Sequence, residues 1–277
     1  MWIAAILTCH NRKEKTKLCL SSLFHVLSSC EVFLVDDGSI DGTSEMLREC
    51  FPQVHVTTGN GNLFWNRGMY VAWKEALKGD FDYYLWLNDD ISLYPDFFDE
   101  LLNCYNLSKG NTIITGLVED ETKTKIIYGG YDESRKMIQP SSALQKVKYM
   151  NGNVVLVSKD VVERIGILDP YYHHDLGDVD YGLRAMENNI SVYATRKVVA
   201  CGSVNNICRE RKWGVSLITR FRILYSPLGS NPSICFYFRR KHYGILNASA
   251  YYVFLHVLNL MSDGMVRIIF GRKYIGG

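Results

Sequence analysis

A run of apolar residues, Tyr83–Leu87, leads directly into Asn88-Asp89-Asp90, and this stretch constrains the fold more than any other. Such a short apolar run predicts a buried strand of an α/β sheet. Ligands bind beyond the carboxyl ends of strands in sheets of this kind. Two adjacent carboxylates repel each other unless a cation lies between them, and oxygen ligands suit Mg²⁺ or Mn²⁺ carrying a substrate phosphate. The alternative is that the two acids cap the next helix.

The rest of the N-terminal half alternates between predicted strands and helices. The predicted strands are Ile3–Leu7, Val32–Val35 and Val54–Thr57, and the predicted helices are Lys17–Leu27, Asp41–Cys50 and Trp65–Leu77. After the acidic pair we expect a helix over Asp96–Tyr105, strands and turns over Asn111–Val147, a strand over Val154–Val157, and helices over Lys159–Ile165 and from about Asp178 to Asn188. This alternation predicts a mostly parallel, doubly wound sheet of Rossmann-like type.

Composition narrows the class of protein. The 277 residues are 47% hydrophobic and 22% charged, which fits one large globular domain or a domain with an appendage. A net charge of +2 is too small to indicate nucleic-acid binding. The eight cysteines form no Cys-x-x-Cys pair, and the first apolar run is too short for a signal peptide. We therefore expect a reduced, cytoplasmic setting.

A second acidic pair, Asp36-Asp37, follows the second predicted strand. These carboxylates can accept hydrogen bonds from a nucleobase or a ribose, or they can form an Asx turn. The sequence lacks both a Gly-x-Gly-x-x-Gly motif after the first strand and a P-loop. A phosphate would then be held through a metal at Asp89 and Asp90. Arg67 is either a second anion contact or a solvated helix residue.

A third acidic group lies at the start of the predicted helix near Asp178. Asp178 is either a helix cap or a general base that points over the sheet edge. Asp180 and Arg184 are four residues apart, which favours an ion pair and a structural role for Asp180.

The sequence resembles the inverting GT-A glycosyltransferases of family 2, particularly the bacterial rhamnosyltransferase-like and galactofuranosyltransferase-like members. Four stretches carry this resemblance, in order and spacing, across roughly residues 1–200. They are Thr8–Arg12, Val35–Thr43, Gly59–Gly68 followed by Leu87–Asp90, and Met150–Gly152 leading to Gly177–Arg184.

The resemblance implies roles for individual residues. Donor binding would fall to Thr8, Asn11, Arg12, Asp36, Asp37, Asn66, Arg67, Asn88 and Asp89. Asp90, assisted by Asp89, would bind Mn²⁺ or Mg²⁺, and Asp178 would be the catalytic base. The acceptor or the donor sugar would contact Asn151, Gly152, Asn153 and Asp180.

Two departures from the family pattern concern the metal. Asn88 replaces the usual first acid, and no histidine follows Asp178 before His242. Cys201, Cys208, His242 or water would then complete the ligand set.

The implied reaction moves a sugar from a UDP- or dTDP-sugar to a hydroxyl of a glycan or lipid-linked glycan, with inversion, in polysaccharide biosynthesis. A sugar-nucleotide nucleotidyltransferase is the enzymatic alternative, although it would need a glycine-rich loop after the first strand. A non-catalytic nucleotide-sugar-binding protein is the other alternative.

The sequence becomes basic and aromatic after residue 208. We therefore divide the chain into a catalytic domain, residues 1–208, and a helical appendage, residues 209–277. Within the catalytic domain, residues 1–110 would bind the nucleotide and residues 111–208 would carry the base.

Within the appendage, Tyr243–Ser262 contains no Asp, Glu, Lys or Arg. This segment would lie in a membrane interface, pack on the catalytic domain or a second subunit, or span a bilayer. Peripheral attachment to the inner face of the plasma membrane and homo-oligomer formation are the corresponding expectations.

Overall fold

The computed structural model of the chain describes residues 1–203 and 208–274. The chain divides into two compact units, of which the first comprises Met1–Pro170 and Gly177–Val204. The second comprises Tyr171–Leu176 and Asn205–Gly277, so a short segment that precedes the last helix of the first unit belongs to the second. The division made from sequence, at residue 208, places that segment in the first part.

The first unit is built on twelve strands among the described residues. They are β1 (Ile3–Cys9), β2 (Glu31–Asp36), β3 (His55–Thr58), β4 (Tyr83–Leu87), β5 (Ile91–Leu93), β6 (Thr112–Asp120), β7 (Ile126–Tyr128), β8 (Gly130–Tyr131), β9 (Gln145–Lys146), β10 (Tyr149–Met150), β11 (Val154–Ser158) and β12 (Ser191–Gly202). The main sheet has the order β3-β2-β1-β4-β11-β6-β12-β5, with β7 beside β6 and β9 beside β12, while β8 and β10 form a small separate sheet.

Helices cover both faces of this sheet. They are α1 (Lys13–Val26), α2 (Thr43–Cys50), α3 (Phe64–Ala76), α4 (Phe97–Leu107), α5 (Lys159–Ile165) and α6 (Gly177–Glu187). Side chains of α1, α2 and α4 pack on one face, and side chains of α3, α5 and α6 pack on the other. Alternate residues of β1 belong to the two cores, as the pleat of a strand buried on both faces requires.

Strand direction changes halfway across the sheet. The strands β1, β2, β3 and β4 run parallel, whereas β11 runs antiparallel to both β4 and β6. The amino end of β11 therefore lies beside the carboxyl end of β4. The fold is mixed α/β with a mostly parallel sheet, as the sequence predicts; the sequence pattern does not reveal the reversed strand, since β11 is apolar in either direction.

A buried ion pair joins α4 to β12. Glu100 is almost wholly buried and accepts hydrogen bonds from Arg196 at three nitrogens and from the Cys104 thiol. The register of β12 against β6 shifts between Ala194 and Val198, so Glu100 bonds the backbone at an irregularity. Burial alone would raise the pKa of Glu100, but hydrogen bonds led by those of Arg196 outweigh it and lower the pKa below its ordinary 4.5.

The second unit is helical where it is described. It contains α7 (Leu217–Leu224), α8 (Pro232–Tyr243), α9 (Ile245–Leu260) and α10 (Asp263–Phe270). Gly244, with a left-handed φ of 85°, is the single residue between α8 and α9, which pack together as a hairpin. Throughout the described residues, every helix is too short or too polar to cross a bilayer.

Replacement of Glu100 tests the importance of the buried pair. We expect Glu100→Gln to lower the free energy of unfolding at pH 7 by about 1–3 kcal/mol, because it leaves the Arg196 donors with a weaker acceptor. A lowered carboxyl pKa contributes stability above pH 4.5 that is lost as the pH falls through the folded-state value. The difference between variant and wild type should therefore shrink in acid, which urea denaturation at several pH values measures.

The matched control is Glu45→Gln. Glu45 pairs with Arg48 one turn away on α2, and both side chains are mostly exposed. This substitution should change the unfolding free energy by no more than about 0.5 kcal/mol. Equal effects of the two substitutions would contradict a special role for the buried pair.

Candidate active site

Sheet topology brings the predicted site residues to one edge of the first unit. The carboxyl ends of β1, β2 and β4 meet there because these strands are parallel neighbours, and the amino end of β11 joins them because it is antiparallel. The backbone N–H of Asn88 donates to the carbonyl of Asn153 over 2.9 Å, which ties the ends of β4 and β11 together. Residues more than 60 positions apart in sequence thus form one edge.

Arg12 bridges the two adjacent carboxylates. Its Nη1 lies 3.1 Å from Oδ1 of Asp89 and 2.8 Å from Oδ2 of Asp90. Asp89 also accepts a hydrogen bond from the hydroxyl of Thr16, at 3.2 Å. The loop after β1 and the turn after β4 are therefore joined by charge, and the positive group that the acidic pair requires is supplied in part by the protein.

Burial disfavours the charged forms of both Asp89 and Arg12, but the net result differs between the two groups. Burial raises the pKa of Asp89 to about 6, although Arg12 and Thr16 oppose the rise. Burial would lower the pKa of Arg12, but the two carboxylates outweigh it and raise that pKa. The Arg12 side chain is 41% exposed and that of Asp89 only 6%, so loss of hydration dominates at the acid and attraction dominates at the base.

The residues at this edge fit a Mg²⁺ or Mn²⁺ ion that is held mainly by substrate. No group of three or more His, Cys, Asp and Glu side chains within residues 1–203 and 208–274 could hold a metal. One or two carboxylates completed by phosphate oxygens and water are nevertheless the usual ligands of Mg²⁺. Asp90, the more exposed of the two acids, and Asp89 behind it supply such a set. Among the other predicted ligands, Cys201 lies on β12 opposite Ser92, and Cys208 and His242 belong to the second unit.

The Asn88 side chain belongs to a hydrogen-bonded network and is not among the candidate metal ligands. Its Oδ1 accepts from the indole Nε1 of Trp65 at 2.7 Å, and its Nδ2 donates to Oδ1 of Asn153 at 2.7 Å. An amide can donate and accept at once, whereas a carboxylate in this position could only accept. This accounts for the asparagine at the position where the family has an acid.

Trp65 is a site residue that the sequence alone does not reveal. Besides bonding Asn88, its ring lies where a side chain at position 152 would be, since a Cβ on Gly152 would come within 2.5 Å of it. The only sequence signal is its position directly before Asn66-Arg67. Nothing in the local pattern shows that the indole reaches both the residue after β4 and the loop before β11.

Asp178 lies in the first turn of α6, next to the loop that begins β11. Its Oδ2 accepts from the backbone N–H of Gly152 at 2.9 Å, and its Oδ1 accepts from the N–H of Val179 at 2.8 Å. The start of α6 requires Gly177, because a Cβ there would lie 1.7 Å from Oδ1 of the buried Asn66. The α3 side chains therefore position the helix that carries Asp178.

Several other predicted residues already bind protein groups. Asp37 is buried and accepts from the backbone N–H groups of Gly61, Leu63 and Phe64 at 2.8–3.0 Å. Asp36 is also buried and accepts from the N–H of Ser39 and the hydroxyl of Ser44. Both carboxylates organise the loops that follow β2 and β3.

The remaining residues predicted to bind the donor or the acceptor also contact protein groups. Thr8 is buried against Gly68, and Asn11 bonds the N–H of Ile40 at 2.8 Å. Arg67 donates to the Pro170 carbonyl at 3.0 Å, and burial lowers its pKa. Asp180 is fully buried and ion-paired with Arg184 on the same helix, consistent with a structural role.

The close approach of Asn66 to α6 leads to a test. We expect Gly177→Ala to lower the free energy of unfolding by about 1–3 kcal/mol, because the methyl group must displace a fully buried side chain. Gly264→Ala is the control, since a Cβ at that position of α10 meets nothing within 4 Å. Urea denaturation should show a loss for the first variant and no loss for the second; a fully stable Gly177→Ala would contradict the packing described.

Comparisons with known proteins agree with this architecture. Among solved structures, TarS from S. aureus has a TM-score of 0.57 and 12% identity, over 98% of this chain and 46% of TarS, so the chain spans less than half of that protein. TarS 1–349 in complex with UDP-GlcNAc has a TM-score of 0.53 and 12% identity, covering 98% and 76% of the two chains. Mannosyltransferase PcManGT from Pyrobaculum calidifontis, in complex with GDP-Man and Mn²⁺, has a TM-score of 0.54 and 13% identity, covering 96% and 78%.

At such identities these likenesses show the fold alone, which is of the GT-A type. No curated protein matches the sequence significantly. The family model described as glycosyl transferase family 2 matches residues 4–164, which is more than half of the chain. The chain therefore belongs to glycosyl transferase family 2.

Proposed function

We propose that this protein is an inverting glycosyltransferase that moves a sugar from a nucleotide-diphosphate donor, a UDP- or dTDP-sugar, to a hydroxyl of a glycan or lipid-linked glycan. One observation carries the proposal. Asp178 is linked to the Asn88–Asp90 turn by consecutive contacts through Gly152 and Trp65. A candidate base and a candidate diphosphate site thus share one edge of the sheet, where ligands of α/β folds bind.

Asp178 is suited to act as the general base. The N–H groups of Gly152 and Val179 hold both of its oxygens, so the carboxylate is fixed in orientation. A carboxylate is too weak a base to deprotonate an alcohol in advance, so it accepts the proton as the acceptor oxygen attacks the anomeric carbon. Attack from the face opposite the diphosphate inverts the configuration in one step, without a covalent sugar–enzyme intermediate.

The negative charge of the leaving diphosphate would be neutralised at the Asn88–Asp90 turn. Asp90 and Asp89 would hold Mn²⁺ or Mg²⁺, and such an ion offsets negative charge on the departing phosphates. Arg12 already lies against both carboxylates and is positioned to add a fixed positive charge. Asn88 and Trp65 keep the turn in place, while Asp36 and Asp37 hold the loops that would enclose the nucleoside.

The acceptor side is built from the loop before β11. Asn151, Gly152 and Asn153 lie between Asp178 and Asn88, and Asn153 is fixed by its bond to Asn88. A sugar or acceptor hydroxyl bound along this loop would lie within reach of the base. Asp180 supports the same site indirectly, through its ion pair within α6.

Donor binding and catalysis can be separated with one variant. We expect a UDP- or dTDP-sugar with Mn²⁺ or Mg²⁺ to raise the melting temperature of both wild type and Asp178→Asn in a thermal-shift panel that also contains GDP- and CMP-sugars and a chelator arm. Transfer by Asp178→Asn should fall by about 10²–10⁴-fold, because the base is lost while the donor contacts remain.

Asp160→Asn is the control for this experiment. Asp160 is an exposed aspartate in the first turn of α5, in the same unit, and its replacement should leave both readouts unchanged. Absence of stabilisation by every donor would refute the proposed function. Equal loss of binding and turnover in Asp178→Asn would refute the assignment of the base alone.

The same proposal includes peripheral attachment to the cytoplasmic face of a membrane. Met265, Ile268 and Ile269 on α10 are 52%, 85% and 59% exposed, and the cations Arg267, Arg272 and Lys273 accompany them. Apolar side chains next to lysine and arginine suit an interfacial helix on anionic lipid, where a lipid-linked acceptor would be found. This arrangement favours a membrane surface over a second copy of the chain, whose cations would repel these.

Vesicle sedimentation tests the membrane surface. We expect binding to phosphatidylglycerol vesicles, little binding to phosphatidylcholine vesicles, and an affinity about tenfold lower for Ile268→Ser, since a largely exposed isoleucine contributes roughly 1–2 kcal/mol when it enters the bilayer. Leu18→Ser is the control, because Leu18 is an exposed apolar residue on α1. Equal binding to both lipids, or equal loss in both variants, would contradict this surface.

A further inference from the structure

The second unit contains an open cavity of about 450 Å³ that the proposed catalytic site does not use. Its walls come from α8, α9 and the segment Tyr171–Leu176. The lining residues are Tyr171, Ser233, Phe236, Tyr237, Arg240 and Tyr252. Four aromatic rings, one aliphatic hydroxyl and one guanidinium therefore share a single cavity, without a carboxylate among the lining residues.

The helical repeat explains how α8 supplies most of this lining. Ser233, Phe236, Tyr237 and Arg240 have the spacing i, i+3, i+4 and i+7, which places them on one face. The opposite face carries the buried Cys235 and Phe238. The helix is fixed at its start, where Pro232 occupies the first turn and the Asn231 side chain accepts from the N–H of Ser233. The cavity face is thus presented by a well-defined helix.

The rings are arranged in two pairs. Tyr171 and Tyr237 lie with centroids 4.1 Å apart and planes tilted by 33°, while Phe236 and Tyr252 meet edge to face at 6.1 Å. Aromatic rings provide flat apolar surface on which the C–H groups of a sugar ring can pack, and the Ser233 hydroxyl in the lining can bond a sugar hydroxyl.

Arg240 adds a charge to the end of the aromatic face. A guanidinium presents paired N–H donors that match the oxygens of a phosphate. Lys241 follows it in sequence, and its ammonium lies 5.8 Å from the ring centre of Tyr237. The combination selects a ligand that is both a sugar and an anion.

We propose that this cavity binds a glycosyl phosphate, with the sugar ring against the aromatic walls and the phosphate on Arg240. The inference rests on the proposed function, because it narrows the proposed glycan substrate to one that bears a phosphate. It assigns substrate recognition to residues outside the donor and base sites.

Ligand-observed NMR on the full chain tests the cavity directly. The probes are glucose 1-phosphate, galactose 1-phosphate and N-acetylglucosamine 1-phosphate, with the corresponding neutral sugars and inorganic phosphate as separate arms. We expect saturable binding of at least one sugar phosphate, at least tenfold weaker in Arg240→Gln, and weaker in Tyr252→Leu. The neutral sugar should bind more weakly than its phosphate and be insensitive to Arg240→Gln.

Arg222→Gln is the matched control, since Arg222 is an exposed arginine on α7 of the same unit and its replacement makes the same change in charge. It should bind the sugar phosphates as wild type does, and melting temperatures should show that all three variants fold. An equal loss in Arg222→Gln, competition by UDP for the same site, or no saturable binding of any sugar phosphate would overturn the proposal.

Donor measurements separate this outcome from the proposed function. Arg240→Gln should retain stabilisation by the nucleotide sugar, because the donor residues lie elsewhere. If donor stabilisation occurs and sugar-phosphate binding does not, the cavity proposal fails alone. If sugar phosphate binds and no donor does, the glycosyltransferase proposal fails while the cavity stands.

Discussion

The packing of Trp86 against two helices is the constraint on which the candidate site depends. Its ring centroid lies 5.1 Å from that of Trp73 on α3 and 5.1 Å from that of Tyr181 on α6, and all three side chains are fully buried. Aromatic pairs of this kind contribute about 0.5–1.5 kcal/mol each beyond the area they bury. Since Trp86 is two residues before Asn88, this one side chain fixes α3 and α6, the helices that carry Trp65 and Asp178, relative to the acidic turn.

Two buried carboxyl groups of the first unit, one in the core and one at the sheet edge, have pKa values shifted in opposite directions. Glu100 is buried with enough donors to keep its pKa low, so it behaves as a settled structural ion pair. Asp89 is buried with fewer donors and next to a second acid, and its pKa is raised. A carboxyl held in that state gains from additional positive charge, which is the property expected of a site that binds a cation or reorganises around an anionic donor.

The identity of Asn88 shows how a departure from a family motif can have a structural cause. Judged from sequence, the asparagine weakens the metal motif. In the structure its amide joins an indole donor on α3 to an amide acceptor at the start of β11, a task that a carboxylate could not perform. Under the proposed function, metal ligation would fall to Asp90 and Asp89, and Arg12 already contacts both carboxylates.

Most helices and longer strands of the first unit, and the sheet edge at which its parallel strands end, follow from the amino-acid pattern alone. Apolar runs and helical spacing predicted β4 and α5 at their observed limits, and the polar residues after β1, β2 and β4 had to meet once these strands were parallel. The Asp180–Arg184 ion pair also follows from the spacing of the two residues along one helix. The use of most site side chains, by contrast, depended on the tertiary structure, because the hydrogen-bond partners of Asp37, Asn88 and Asp178 come from other elements. The reversed direction of β11, the role of Trp65 and the aromatic cavity of the second unit were likewise decided by contacts between distant segments, which no local period encodes.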